Sequence, residues 1–417
     1  MSPIVSQRDR ETVRALAEQV AEIAALPVQA TKRQLWTRLN RLDPIRPMVW
    51  INELPWHELD CDELRPRAED EIARRVEEKL RNTLYLWRHM PTDMVVDGVY
   101  LSPYVYHDSG YALGLDAVRS FDDGLAVSNA ADWVPVIKTE ADIDQIQTPV
   151  ITPDWETTER DLERVADLIG DILEVRKQGI AHEWCAPWDV LVERWGIEEL
   201  YTDMIDRPEF VHRGISRLMD AMISRLDQME ALGLLSVGNN NHRVGSGGLG
   251  ITDELPSPSF DGRHARPIDQ WGTSTGQIFS EVSPAMHEEF CLRYELRWLE
   301  RFGLNCYGCC EPLHNKIDIL RKIPRLRRIS MSRWDDIEKA VATIGRDYIF
   351  SSKPNPGVFA WDVWEPDEAR RDLRDILEKT RGCVVELIMK DVSTCRNDPS
   401  RVWDWCRLAV EMAEEYA

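Results

Sequence analysis

Basic residues are in short supply in this chain of 417 residues: 51 Lys and Arg stand against 73 Asp and Glu, a formal net charge of −22. Binding to nucleic acid or to an anionic membrane needs a positive face, and no basic tract offsets the deficit. Long apolar runs are missing as well. None approaches the roughly 18 residues that span a bilayer. The opening stretch, residues 1–20, has no apolar core followed by a cleavage site, so a cytoplasmic location is the expectation. The nine cysteines, at 61, 185, 291, 306, 309, 310, 383, 395 and 406, lack the even spacing of a disulfide framework. No second Cys-x-x-Cys supplies the spacing of a closed structural zinc site. Internal repeats and low-complexity tracts are also absent.

What is present is alternation. With 43% hydrophobic residues the chain can bury a large core. In the second half, short apolar runs at 276–282, 304–309, 328–332, 346–352 and 383–389 alternate with amphipathic stretches, giving five consecutive βα units. Helix boundaries are marked by Ser283 and Pro284 at one start, and by Gly303, Gly345 and Gly382 at three ends. Upstream, Val211, Ile215, Leu218, Met222 and Met229 recur at helical steps until Gly233. Residues 47–51, 93–101 and 179–191 supply three more strand candidates. Eight strands alternating with helices predict an α/β fold, a TIM (β/α)8 barrel over residues 46–417. Residues 1–45 are predicted to form an N-terminal helical extension.

Barrels of this kind carry their chemistry on loops after the C-terminal ends of the strands. Those loops here are 239–242, Glu281, 307–311, 332–334, 353–356 and 390–395, and they hold polar, charged or sulfur groups.

The ordered set "RPEFVHRGISRLMD", "SPAMHEEF", "YGCCEPL" and "DPSRVWDW" resembles the uroporphyrinogen decarboxylase superfamily, a TIM-barrel group that includes cobalamin-dependent methyltransferases. The resemblance covers residues 170–417 best. It departs from the true decarboxylases, whose Arg-rich segment grips porphyrin carboxylates. Asn52, Glu53 and Leu54 stand where those arginines would be expected, so a polyanionic porphyrin is disfavoured. The methyltransferase branch has His-x-Cys at a strand end where this chain has Tyr307-Gly308-Cys309, so Cys309 is the position that matches. The resemblance implies a methyl group moved from a small O-, N- or S-methyl compound to a corrinoid, with zinc as cofactor and cobalamin carried on a partner protein. It also implies that two copies could pair as a homodimer.

Within "LNCYGCCEPLH" (304–314), sulfur and carboxylate gather at a predicted strand end. Zinc takes Cys, His and carboxylate ligands, and a catalytic site keeps one position open for substrate. Cys309 is the first candidate ligand. Cys310 and Cys395 are next, with Glu311, His314, His242 and Glu281 also available to the shell. Cys306 reads as a core residue of the strand. Adjacent Cys309 and Cys310 cannot both point inward from a regular strand, because successive side chains alternate faces; a loop would permit it.

His242, Glu281 and Tyr307 are the catalytic candidates. Asn240, Trp184 and Lys353 are the substrate-binding candidates, with Lys390 and Asp391 placed to orient an anionic group. Glycines at 245–250 match G-x-G-x-x-G, but turn formers follow instead of a helix. A flexible loop over the mouth is expected there. A metal-independent decarboxylase or lyase acting on a small acid through His242 and Lys353 is the alternative.

Overall fold

The computed structural model describes residues 5–112, 117–118, 132–133 and 135–417. Eight parallel strands organise it: β1 (Met48–Ile51), β2 (Val99–Pro103), β3 (Glu174–Gln178), β4 (Trp271–Ser274), β5 (Leu304–Tyr307), β6 (Leu326–Met331), β7 (Ile349–Ser352) and β8 (Val384–Met389). Six of them form one sheet in the order β1-β8-β7-β6-β5-β4, and β2 pairs separately with β3. Every residue of β4, β5, β7 and β8 is buried. Strands covered on both faces show no alternation between buried and exposed positions.

The ladder is unbroken over six strands only. Beyond β4, single parallel bridges join His182 to Trp271 and Cys185 to Ser274. Beyond β1, the Asp93 N–H donates to the Val49 carbonyl at 2.9 Å. The fold is α/β with a central parallel sheet. Continuous closure into a barrel is not shown by these bonds.

Two helices, Gln7–Ala24 and Pro27–Asn40, lead the chain. Ser6 caps the first, its side chain accepting from the Asp9 N–H at 3.1 Å. The second is tied to the sheet. Trp36 is fully buried and its indole donates to the Asp93 carbonyl at 2.8 Å. Asn40 Nδ2 donates to the carbonyls of Leu249 and Ile251 at 3.0 and 2.8 Å. No helix among the described residues is long and apolar enough to cross a membrane.

Helix stops fall where glycine demanded them. Gly233, Gly345 and Gly382 follow helices Pro208–Ala231, Ile337–Ile344 and Pro366–Lys379 with positive φ. Ser283 caps a helix beginning at Pro284, its side chain accepting from the Met286 N–H at 3.2 Å.

Several sequence expectations are corrected. Residues 276–282 are not a strand. A 3-10 turn, Gln277–Phe279, buries Ile278 and Phe279, and the strand lies earlier at β4. The run 179–191 is a bridged segment followed by helix Pro187–Trp195, opened by its proline. Helix after β5 is limited to Ile317–Leu320.

The glycine-rich loop is not a mobile lid. Residues 244–251 are all buried. A Cβ at Gly247 would stand 2.4 Å from Arg328 Cδ, and one at Gly248 2.4 Å from the Trp36 ring. The glycines are there because the backbone packs directly on these side chains.

Candidate functional site

Gly308 ends β5 with φ +93. That turn breaks strand alternation, so the sulfurs of Cys309 and Cys310 converge to 3.5 Å. Glu311 fixes the turn from below. Fully buried, its carboxylate accepts from the Cys309 N–H at 2.9 Å, Thr275 Oγ1 at 2.9 Å and the Gly276 N–H at 3.2 Å. Burial raises its pKa.

Lys390 leaves the end of β8 and points at the same sulfurs. Its Nζ donates to Cys310 Sγ at 3.4 Å, Cys309 Sγ at 3.5 Å and Asp391 Oδ2 at 2.7 Å. Burial disfavours its charge, but the two sulfurs and Asp391 outweigh that and raise its pKa. Asp391 Oδ2 lies 3.7 Å from Cys310 Sγ. Cys310 is exposed and Cys309 is buried. Hydrogen bonding between the thiols leaves the proton on Cys309, raising its pKa and lowering that of Cys310, which Lys390 lowers further.

Glu53, just past β1, completes the rim. It lies 3.7 Å from Lys390 Nζ and accepts from Arg243 at 2.5 Å and from the Asp391 N–H at 3.2 Å. Burial pushes its carboxyl up, but the Asp391 bond and the Arg243 and Lys390 charges hold it at about 2.

These groups open on a cavity of about 210 Å³ lined by Cys309, Cys310, Lys353, Lys390, Asp391 and Trp334 among others. A neighbouring cavity of about 530 Å³ shares Cys310 and Trp334 and adds Glu281 and His314. Trp334 is 68% exposed, and the Arg333 guanidinium lies 4.5 Å from its ring centroid. Lys353 is buried, donating to Ser351 O at 2.8 Å and Oγ at 2.7 Å. Burial lowers its pKa to about 8.

The structure thus brings together Cys309, Cys310, Lys353, Lys390 and Asp391, with Glu281 at the adjoining cavity. Other sequence candidates lie apart. Cys395 is fully buried, its N–H donating to Glu58 Oε2 at 2.7 Å, and it lines neither cavity. Trp184 is 41% exposed beyond β3 and is likewise absent from both linings. Asn240 serves His242: its Oδ1 contacts His242 Nδ1 and accepts the His242 N–H at 3.1 Å. His242 Nε2 has no partner, and burial lowers its pKa to about 3. Arg243 and Glu53 are rim residues that sequence reasoning did not single out for the site. Nothing local marks them, because their contact joins segments 190 positions apart.

Tyr307 faces away from the cavities, into a buried cluster. Its hydroxyl is 2.7 Å from His287 Nε2 and donates to Glu295 Oε2 at 2.7 Å. Ser274 Oγ donates to Glu295 Oε1 at 2.7 Å. His287, Cys291 and Glu295 form the one group of three metal-type ligands within 4.8 Å among the described residues. A π turn at Glu288–Leu292 brings them onto one side of the helix. The Tyr307 oxygen already satisfies two of the three. Burial also disfavours the charged form of each, with His287 lowered to about 3, Glu295 raised to about 7 and Cys291 raised well above its usual range. His287 Nδ1 is buried and has no partner.

No family model matches the chain, and no curated protein does. A solved structure that superposes on it, a methyltransferase from Methanosarcina mazei, shares 9% identity, covering 91% of this chain and 98% of that one at a TM-score of 0.49.

Proposed function

We propose that the chain is a methyltransferase of the uroporphyrinogen-decarboxylase-like class. On this reading it takes a methyl group from a small O-, N- or S-methyl compound, and a corrinoid on a partner protein receives it. The observation that carries the reading is the contact of two thiols, 3.5 Å apart, with Lys390 and Asp391 at the strand-end cavity.

The two thiols suit zinc, but the donor atoms of Cys309, Cys310 and Asp391 do not all lie within 4.8 Å of one another, so Asp391 would have to move closer. Two zinc–sulfur bonds at a tetrahedral angle place their sulfurs roughly 3.8 Å apart. Cys309, Cys310 and Asp391 would hold the ion, on the side where Lys390 now offers its ammonium to both sulfurs. Bound there, zinc would supply Lewis-acid polarisation of the donor's heteroatom. The protein's own residues set the conditions. Lys390 stabilises negative charge on sulfur. Glu311 holds the turn that presents both thiols. Trp334 offers an apolar wall for the methylated group.

Lys353 favours a second reading, decarboxylation or lysis of a small acid. It is a buried amine lining the same cavity, with a pKa of about 8. Metal content separates the two. Zinc retained by the wild type and by Cys291→Ser, but lost from Cys309→Ser, supports the first reading. So does conversion of cob(I)alamin to methylcobalamin with methyl-donor candidates. A metal-free protein that turns over small acids and loses that activity in Lys353→Met supports the second and ends the first.

A further inference from the structure

The two thiols support a chemistry that needs neither metal nor methyl donor. Of the nine cysteines, Cys310 is the exposed one; Cys61 and Cys383 are half-buried and the other six are buried. Its sulfur touches Cys309 Sγ at 3.5 Å and accepts from Lys390 Nζ at 3.4 Å. A solvent-facing sulfur held against an ammonium, with a second thiol in contact, is the arrangement in which cysteines react with peroxides and are then resolved.

From these contacts we propose that Cys309 and Cys310 form a reversible vicinal disulfide, with a hydroperoxide as oxidant. In the first step the Cys310 sulfur attacks the O–O bond of hydrogen peroxide. A sulfur–oxygen bond forms, the O–O bond breaks, and the departing hydroxide takes a proton and leaves as water. Cys310 is now a sulfenic acid. In the second step the Cys309 sulfur attacks the Cys310 sulfur. The S–S bond forms and the S–O bond breaks, and the hydroxide leaves as water with the Cys309 proton. In sum, two thiols lose two protons and two electrons, and one peroxide becomes two waters.

The product is built to be reversed. Adjacent Cα atoms are about 3.8 Å apart across a trans peptide, shorter than the roughly 4.4 Å at which ordinary disulfides begin. Strained bonds have more oxidising potentials and are reduced readily. The disulfide therefore acts as a switch. Its effect on activity rests on the methyl-transfer reading, because sulfurs tied to each other no longer serve as donors. Its formation does not rest on that reading.

The test treats the full-length protein, as isolated and after incubation with a chelator, with hydrogen peroxide, followed by alkylation, digestion and mass spectrometry. Two fewer alkylatable cysteines are expected, mapping to the peptide that holds 309 and 310, with both restored by dithiothreitol. In Cys309→Ser, dimedone traps Cys310 as sulfenic acid and no disulfide appears. Wild-type mapping decides the matter if that variant does not fold. The proposal is overturned if the chelator-treated protein keeps both thiols alkylatable. It is equally overturned if oxidation maps to other cysteines, or if Cys310 passes to sulfinic acid while Cys309 stays free. The readout is mass alone, so it stands or falls apart from metal content and methyl transfer.

Discussion

Arg328 and Glu386 face each other across β6 and β8, with Nε and Oε1 3.0 Å apart and both side chains fully buried. The Arg328 Nε–H does not point along that line, so the contact is one of charge rather than a linear hydrogen bond. Other bonds anchor the pair, while Glu386 Oε2 is left without a partner. Arg328 donates to Asn40 Oδ1 at 2.9 Å and to the Gly248 carbonyl at 3.3 Å. Glu386 Oε1 accepts from Ser351 Oγ at 2.6 Å and the Gly248 N–H at 3.1 Å. The second leading helix, the glycine loop and three strands meet at this point. It lies beneath the cavity, since Ser351 also holds Lys353.

Removing one partner of this pair leaves the other charged and buried. Glu386→Gln is expected to cost about 3–5 kcal/mol. Gly248→Ala, whose Cβ would stand 2.4 Å from Trp36, is expected to cost about 1–3 kcal/mol by overpacking. Urea midpoints measure both. An unchanged midpoint for either would mean that the loop does not pack on the pair as described.

Cys310 is expected to be the fastest thiol to alkylate. Its pKa is lowered first by the Cys309 hydrogen bond and then by Lys390, against desolvation. Cys309→Ala and Lys390→Met both remove a stabiliser of the ionised form, so each shifts the iodoacetamide rate profile of Cys310 to higher pH. Rates followed by peptide mapping across the neutral range give the answer. A profile indifferent to Lys390→Met contradicts the assigned contact.

Local chemistry made part of this architecture legible. Gly233, Gly345 and Gly382 announced helix ends because positive φ is open to glycine, and Ser283–Pro284 announced a helix start. The adjacent thiols at a strand end were visible as well. What the sequence hid is set by partners far along the chain. β4 reads "WGTS", too polar for a strand on composition, yet Thr273 and Ser274 bond the carbonyls of Glu183 and Cys185 some 90 residues away. The apolar run at 276–282 was misread because burial, not strand pairing, explains Ile278 and Phe279. Glycines 245–250 look flexible until Arg328, Glu386 and Trp36 are placed against them. Lys390 meets Cys309 across 81 positions, and no local pattern reports that.

Lys353 gives stability a signature in alkali. Its folded pKa is about 8 against an ordinary 10.5, because burial disfavours the ammonium. Between those values the unfolded chain binds more protons than the folded one, so this residue's contribution to stability rises with pH. Below about 8 both states are protonated and the cost of burying the charge is fully present. Lys353→Met removes that cost, so its stability advantage over wild type should shrink as pH climbs through the window. Denaturation midpoints of the two proteins at several pH values test this. A difference that stays constant would place the charge of Lys353 in solvent.

Glu295 works in the opposite sense. Burial raises its carboxyl to about 7 from 4.5, outweighing the hydrogen bonds from Ser274 and Tyr307 that favour ionisation. Between those values the folded state binds more protons than the unfolded one, so stability conferred by this group is present in acid and lost as pH rises through about 7. Glu295→Gln keeps the shape of the protonated carboxyl and cannot ionise. Its stability should therefore fall less than that of wild type between pH 4.5 and 7. Tyr307→Phe strips a partner from both His287 and Glu295 and should cost about 1–3 kcal/mol, as unsatisfied buried groups do. It should do so without altering Cys310 alkylation, because the hydroxyl faces the buried cluster and not the cavity. A Tyr307→Phe protein of wild-type stability with a changed Cys310 rate would move Tyr307 from the core network into the active site.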